Sequence, residues 1–400
     1  MQQLAVPRYV PPSAATWRSP WPMYQTLRRE APVLRVEPPG HPDRDYWVLS
    51  RYDDVLWAAR DSRTYSSADG LTTNYGELER LGMVDSPPLV MQDPPGHSAF
   101  RRLVARGFTP RRVAGIEPAV REFVRSRIDA LADAGGGDIV AALFKPLPSM
   151  VVAHYLGVPG CDRDHFDDWT DAIVAANATG DPAAALARAS TAMADLAAYF
   201  TQLAAWREGH PGEDALSDMV AAGAGLDAVL GFAFTMVTGG NDTTTGLLGG
   251  SVQLLADHPA QRRLLCDHPG LLPDAIEELL RLTCPVQALA RTTTGDVRVR
   301  DVTIPAGRKV LLLYASANRD EQHWGDDADQ LDVERRPRNI LTFSHGAHHC
   351  LGAAAARLQA RVALEELLGR CPDFDVDTEG VTYADGPYVR RPTSVSFRVL

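Results

Sequence analysis

The sequence predicts a mainly α protein with small β-sheets. Apolar residues recur at helical spacing over 97–108, 117–133, 186–207, 226–257, 272–283 and 351–369. Tyr46-Trp47-Val48-Leu49 and Val297 to Ile304 alternate instead as strands do. Glycine and proline clusters at Gly135-Gly136-Gly137, Pro146-Leu147-Pro148, His210-Pro211-Gly212 and His268-Pro269-Gly270 punctuate the helices, and none is long enough to act as an interdomain linker. The expectation is a single domain over 1–400, with a proline-rich segment at 1–22.

Composition narrows the class. With 400 residues, 45% of them hydrophobic, the chain can bury a large core. A formal charge of −11 argues against a nucleic-acid partner. The cysteines at 161, 266, 284, 350 and 371 are odd in number and scattered, as thiols in a reducing compartment are. The longest apolar run, 229–237, is too short for a bilayer, and the N-terminal region lacks a basic-then-apolar signal. A cytoplasmic protein with no membrane partner is expected.

In chain order, the first chemical signal is Phe234-Thr235-Met236-Val237-Thr238-Gly239-Gly240-Asn241-Asp242-Thr243-Thr244-Thr245. Adjacent glycines cost a helix roughly 1 kcal/mol each relative to alanine, yet these lie inside a long helical pattern. Glycine would let a flat ligand or a diatomic approach the backbone, and a threonine hydroxyl can bond the preceding turn and open it. Asp242 and Thr243 then place a carboxylate and a hydroxyl where protons could pass through water. The competing reading is close helix packing over the glycines, with Asp242 in solvent. The next signal, Glu277-Glu278-Leu279-Leu280-Arg281, puts Glu278 and Arg281 on one helical face, suited either to a bidentate pair or to an ordinary solvated surface.

The strongest signal is Phe343-Ser344-His345-Gly346-Ala347-His348-His349-Cys350-Leu351-Gly352, followed at once by an alanine-rich helical stretch. A cysteine near a helix N-terminus feels the dipole and free N–H groups that favour its thiolate, the form that holds a haem iron. Gly346 and Gly352 would let the backbone turn tightly below a macrocycle, and Phe343 could screen the sulfur. Zinc is the competing ligand for the His345, His348, His349 and Cys350 cluster, but structural zinc takes ligands in two spaced pairs and no second pair is near. A buried cysteine alone would be inert core filler.

Together, in this order, these segments resemble the cytochrome P450 superfamily of haem-thiolate monooxygenases. Asp93-Pro94-Pro95-Gly96-His97-Ser98-Ala99-Phe100-Arg101-Arg102 looks like the haem-propionate segment of its bacterial members. The similarity runs from Trp21-Pro22-Met23-Tyr24 to the C-terminus, and Phe144 to Met150 and Tyr388 to Pro392 look like an actinobacterial, mycobacterial-type member. Ser344 departs from the usual glycine, Ile340 from a common histidine, and His349 is an uncommon neighbour of the cysteine.

The resemblance implies a cytochrome P450 fold and haem b (iron protoporphyrin IX), with Cys350 as the metal ligand. Gly239, Phe343 and Gly346 would line the cofactor, and His97, Arg101, Arg291 and His348 would hold its propionates. Asp242 and Thr243 would manage protons, while Glu278, Arg281 and Arg335 would form a structural network behind the haem. O2 would be activated with electrons from a separate ferredoxin or flavodoxin and its reductase, because no flavin or nicotinamide fingerprint is present. Arg102, Arg106, Arg111, Arg112, Arg338, Arg357 and Arg361 would form a basic docking patch for that donor.

For the pocket, steps of three and four from Gly239 place Phe232, Thr235, Met236 and Thr243 on one face. The resemblance adds the loop from Leu71 to Met91, with Asn74, Tyr75 and Met91, then Val286, Gln287 and Leu289, and Val389 near the C-terminus. Thr235, Asn74, Tyr75 and Gln287 would be the polar handles in a mainly apolar site. The expected activity is hydroxylation or dealkylation of a neutral or weakly basic small apolar substrate, aromatic compounds included. The alternatives are a haem-binding sensor or carrier, which would need no Asp242–Thr243 relay, and a peroxide-driven or coupling enzyme. Peroxide users usually replace that acid and alcohol.

Overall fold

The computed structural model describes residues 7–175, 182–386 and 388–400. Its axis is the helix Leu226–Asp257, which packs against Pro146–Tyr155, Pro182–Gly209, Leu272–Thr283 and Ala353–Arg370. Small residues in its second half let the neighbours come close. A Cβ at Gly246 would stand 2.7 Å from the Arg390 carbonyl, and one at Gly250 would stand 2.8 Å from the Thr283 methyl. The helix therefore keeps its glycines for packing in this half, which offsets their entropic cost.

Beside the helices lies a five-stranded sheet in the order Val33–Val36, Tyr46–Leu49, Lys309–Leu312, Leu289–Thr293, Tyr65–Ser66. Tyr46–Leu49 pairs parallel with Lys309–Leu312 and is wholly buried, while the other pairings are antiparallel. Arg291 thus rises from a central strand, whose backbone hydrogen bonds fix where its side chain starts.

The expected helices are present, with shifted ends at several. The periodicity over 97–108 resolves into the α-helix Gly96–Val104 and a tighter 3-10 turn, Ala105–Phe108. Helices also form at Trp21–Glu30, Tyr52–Arg60, Arg163–Ala175 and Pro259–Asp267, where short apolar faces gave no sustained period. Val297 to Ile304 is a hairpin, Val297–Val299 against Val302–Ile304, turning at Arg300 with φ +53°. Two punctuation marks are structured. Pro146-Leu147-Pro148 opens the helix Pro146–Tyr155, since a proline in the first turn forfeits no helical hydrogen bond. Gly136–Asp138 is an edge strand on Ser396–Val399, where the Gly136 φ of +135° excludes a side chain.

The N-terminal helix is pinned by Arg28, whose Nη2 lies 2.8 Å from Glu321 and whose Nη1 donates to the Ser316 carbonyl at 3.2 Å. Burial opposes ionisation of Glu321, but the Arg28 hydrogen bonds and charge outweigh it and hold the carboxyl at about 2 against an ordinary 4.5. A depressed folded-state value stabilises the protein above the unfolded value, and that share is lost as pH falls. Glu321→Gln should therefore lower the denaturation midpoint at neutral pH and flatten the stability loss between pH 4.5 and about 2. Identical acid-denaturation profiles for the two proteins would refute this.

Candidate active site

The floor of the site is the loop after the 3-10 turn Leu341–Phe343. Ser344 takes φ +53° and ψ −172°, a region almost restricted to glycine, and its Oγ lies 3.3 Å from the Tyr314 hydroxyl. At Gly346, φ is +71° and a Cβ would stand 2.9 Å from the Ala59 carbonyl, so this turn requires glycine. The Cys350 N–H donates to the Phe343 carbonyl at 2.9 Å, closing the loop just before the helix Ala353–Arg370. Gly352 has an ordinary φ of −83°, so no backbone strain demands glycine there, and its N–H favours the Cys350 thiolate. Cys350 is exposed to the cleft, yet desolvation by the protein around it raises the thiol, while that N–H and the charges of Arg101 and Arg357 pull it down. Phe343 packs beneath the guanidinium of Arg357, 4.6 Å from the ring centroid, and Arg357 is itself clamped by Glu277. His349 is exposed, its ring centroid 6.4 Å from those of Phe343 and His345.

One rim carries the basic residues. His97 is 1% exposed, its ring centroid is 4.2 Å from that of His348, and its Nδ1 is buried without a hydrogen-bond partner among the described residues. Arg291 is buried, with Nη1 on the Ala290 carbonyl at 2.7 Å. Burial, then Arg291, His97 and Arg101, push His348 down to about 3. The nearby carboxylate of Asp93 is occupied by Ser66 Oγ at 2.5 Å and the Ser67 N–H at 2.9 Å. The fold has gathered His97, Arg101, Arg291 and His348 at one edge, where they repel one another.

The opposite wall is the helix Leu226–Asp257. Both readings of its glycines hold, one for each. A Cβ at Gly240 would stand 2.6 Å from Val152, so this glycine serves packing, whereas one at Gly239 would meet no heavy atom within 4 Å. The helix is continuous here rather than opened, although the threonines bond back to it: Thr235 to Gly231 O at 2.7 Å, Thr238 to Phe234 O at 2.8 Å and Thr243 to Gly239 O at 2.8 Å. Asp242 is not a solvated side chain. Arg391 Nε, from the C-terminal turn, lies 2.9 Å from its Oδ1, a partner that sequence spacing did not reveal.

Behind the loop, Glu278 and Arg281 are both fully buried and form a bidentate pair at 2.6 and 2.7 Å. Arg335 joins them, its Nε 3.0 Å from Glu278.

The pocket expectations fare unevenly. A cavity of about 1,090 Å³ is lined by Tyr75, Met91, Phe100 and Gly231 among others. Phe232 does not line it: the residue is buried and stands edge-on to Phe108, 6.4 Å between centroids. On the long helix Asp227, Ala228 and Gly231 line this cavity, and Ala228 and Gly231 share the face of Thr235 and Gly239 at steps of three and four, although Gly239 and Thr243 themselves lie outside the lining. Met236 is partly buried between two apolar clusters. Gln287 is no pocket handle either, being 1% exposed and donating to the Thr283 and Cys284 carbonyls at 3.2 and 2.6 Å. Tyr75 lends its ring to the wall, but its hydroxyl donates to the Asp45 carbonyl at 2.7 Å. Asn74 is exposed and outside the lining. Val286 bridges to Val389, and Leu289 begins the inner strand Leu289–Thr293.

The basic patch is smaller than expected. Arg112 pairs with Asp218, Arg357 with Glu277, and Arg361 with Glu117 and Glu365, which withdraws those three. Arg102, Arg106, Arg111 and Arg338 remain exposed and form no ion pair among the described residues.

A cysteine loop, a glycine with open space at its Cβ and a basic rim are the parts a haem-thiolate site would need. Comparison with known proteins agrees. The cytochrome P450 family model matches residues 268–382. Cytochrome P450 130 of Mycobacterium tuberculosis is 62% identical over 394 residues, covering 97% of this chain and 96% of the relative. Vitamin D(3) 25-hydroxylase of Pseudonocardia autotrophica is 35% identical, covering 94% and 93%. The structure of cytochrome P450 CYP109Q5 from Chondromyces apiculatus superposes with a TM-score of 0.84 at 32% identity, covering 96% of each chain. The chain belongs to the cytochrome P450 family, and it is an oxygenating oxidoreductase with a haem cofactor. The residues present fit that cofactor: the orphaned His97 Nδ1 and the mutually repelling basic rim suit two buried carboxylates. No helix among the described residues is long and apolar enough to cross a membrane.

Arg281→Ala would leave the Glu278 carboxylate buried with only part of its compensation, a change that commonly costs about 3–5 kcal/mol. The expected product is apoprotein or insoluble protein, measured as the haem-to-protein absorbance ratio after purification. A well-folded holoprotein would contradict the structural role.

Proposed function

We propose that this P450 oxidises a neutral or weakly basic apolar small molecule, by hydroxylation or dealkylation, with electrons from a separate ferredoxin or flavodoxin and its reductase. The cavity carries the substrate reading. Leu78, Met91, Phe100 and Leu103 give it apolar walls, and Glu79, Asp85 and Asp227 are exposed acids in its lining. Its lysine, Lys309, is fully buried with Nζ committed to the Asp69 carbonyl at 2.6 Å. A substrate carboxylate would meet repulsion there, whereas a neutral or protonatable molecule would not. The name of the Pseudonocardia relative, a vitamin D(3) hydroxylase, supports the same class.

When bound through a thiolate, haem supplies reductive activation of O2. In this reading Cys350 provides the sulfur, and His97, Arg101, Arg291 and His348 neutralise the propionates. Arg391 holds the Asp242 carboxylate at the edge of the oxygen-side wall, and its release from that pair exposes an acid able to carry protons inward. Thr243, turned back on the Gly239 carbonyl, offers its hydroxyl oxygen to water at the same point. Exposed Arg102, Arg106, Arg111 and Arg338 suit an acidic electron donor.

Turnover with a surrogate ferredoxin and its reductase, on a substrate found by spectral screening, tests the proposal. Thr243→Ala should still consume reductant but release hydrogen peroxide, with product per electron lower by about tenfold or more. Unchanged coupling in that variant, or turnover by wild type with peroxide alone and none with ferredoxin, would overturn it.

A further inference from the structure

A second cavity, of about 240 Å³, lies apart from the haem site, between Trp21 on the N-terminal helix, the end of the helix Leu226–Asp257 and the Tyr383–Arg390 turn. Its lining carries three guanidinium groups, those of Arg18, Arg319 and Arg390. Two are deeply buried, Arg319 at 5% exposed and Arg390 at 9%. The Trp21 ring stands beside both, with its centroid 3.9 Å from the Arg319 guanidinium carbon and 5.5 Å from that of Arg390.

The charges there are not balanced. Arg319 Nη1 meets Asp329 at 2.8 Å, but Arg319 Nε is buried with no hydrogen-bond partner among the described residues. Among the described residues, the acceptors that the Arg390 guanidinium meets are neutral, the Trp17 carbonyl and the Tyr383 hydroxyl, each at 2.6 Å. Asp257, the carboxylate in the lining, is exposed and makes no ion pair among the described residues. Burial pushes Arg319 down to about 10, the direction expected of a cation short of compensation. Water could satisfy N–H groups in such a space, but it returns no charge.

We propose that this cavity binds a small inorganic anion, of chloride to phosphate size, between the guanidiniums of Arg319 and Arg390, with Arg18 at the rim. The volume excludes nucleotides and drug-sized ligands. Occupancy has a structural consequence. Arg390 donates its N–H to the Pro285 carbonyl and sits between Val389 and Arg391, the partner of Asp242, so an anion on Arg390 steadies the turn that carries that ion pair.

Two measurements on the holoprotein test this independently of the substrate reading. Crystals soaked in sodium bromide should show an anomalous peak within hydrogen-bond distance of Arg319 or Arg390. In solution, replacing gluconate by phosphate at constant ionic strength should raise the melting temperature saturably, by about 2 °C at tenfold excess over the dissociation constant. Arg390→Gln should abolish the shift. Should that variant fail to fold, Arg18→Gln at the exposed rim should move the phosphate midpoint several-fold higher. Absence of the bromide peak, or a midpoint unchanged in Arg18→Gln, would overturn the site. A bromide peak without a saturable shift would mean an adventitious ion only, and would overturn it equally.

Discussion

A fully buried charge pair governs the placement of the cysteine loop. Arg281 spends two nitrogens on Glu278 and turns Nη1 to the carbonyls of Asn318 and Ala328, at 2.7 and 2.6 Å. The Asn318 side chain in turn donates to Thr342 Oγ1 at 2.9 Å and accepts the Leu341 N–H at 2.8 Å, and the Thr342 hydroxyl donates to the Leu280 carbonyl at 2.7 Å. The chain of bonds runs from a helix interior to the start of the loop that ends at Cys350. Desolvated charges tolerate few geometries, because each unmade bond costs the full desolvation of its group. The loop inherits that constraint, and it holds Ser344 in a backbone region that glycine would occupy without strain.

The distal side is set by packing. Gly240 brings the long helix against Val152, and the helix thereby presents Gly239 to the groove one step further round. Threonines turn their hydroxyls back onto the carbonyls four residues before them, and the helix stays continuous through the glycines. Asp242 then needs a counter-charge from elsewhere, which the C-terminal turn supplies through Arg391. That turn also supplies Val389 to the bridge with Val286, so one short segment joins the acid, the bridge and the buried Arg390.

Much of this was legible in the sequence because it is local. The cysteine loop, the Gly-Gly-Asn-Asp-Thr run and the Glu278–Arg281 step each fit within a few turns, and Glu278 and Arg281 form the buried pair their spacing allows. What was not legible depends on contacts distant along the chain. Arg112, Arg357 and Arg361 are tied to acids on other helices, which hydrophobic periodicity does not reveal. Gln287 is turned inward by open carbonyls at the end of the preceding helix, and Phe232 is claimed by Phe108. Arg391 reaches Asp242 only because Gly246 and Gly249 let the C-terminal turn lie against the long helix.

The account rests on Cys350 as the thiolate ligand in a loop held by that buried network. The most direct test is the absorption spectrum of the ferrous carbonyl complex of wild type and Cys350→His. Wild type should show the strongly red-shifted Soret band of a thiolate-ligated haem, and the variant should lose that shift while retaining haem. A red-shifted band that survives in Cys350→His would contradict the account at its centre.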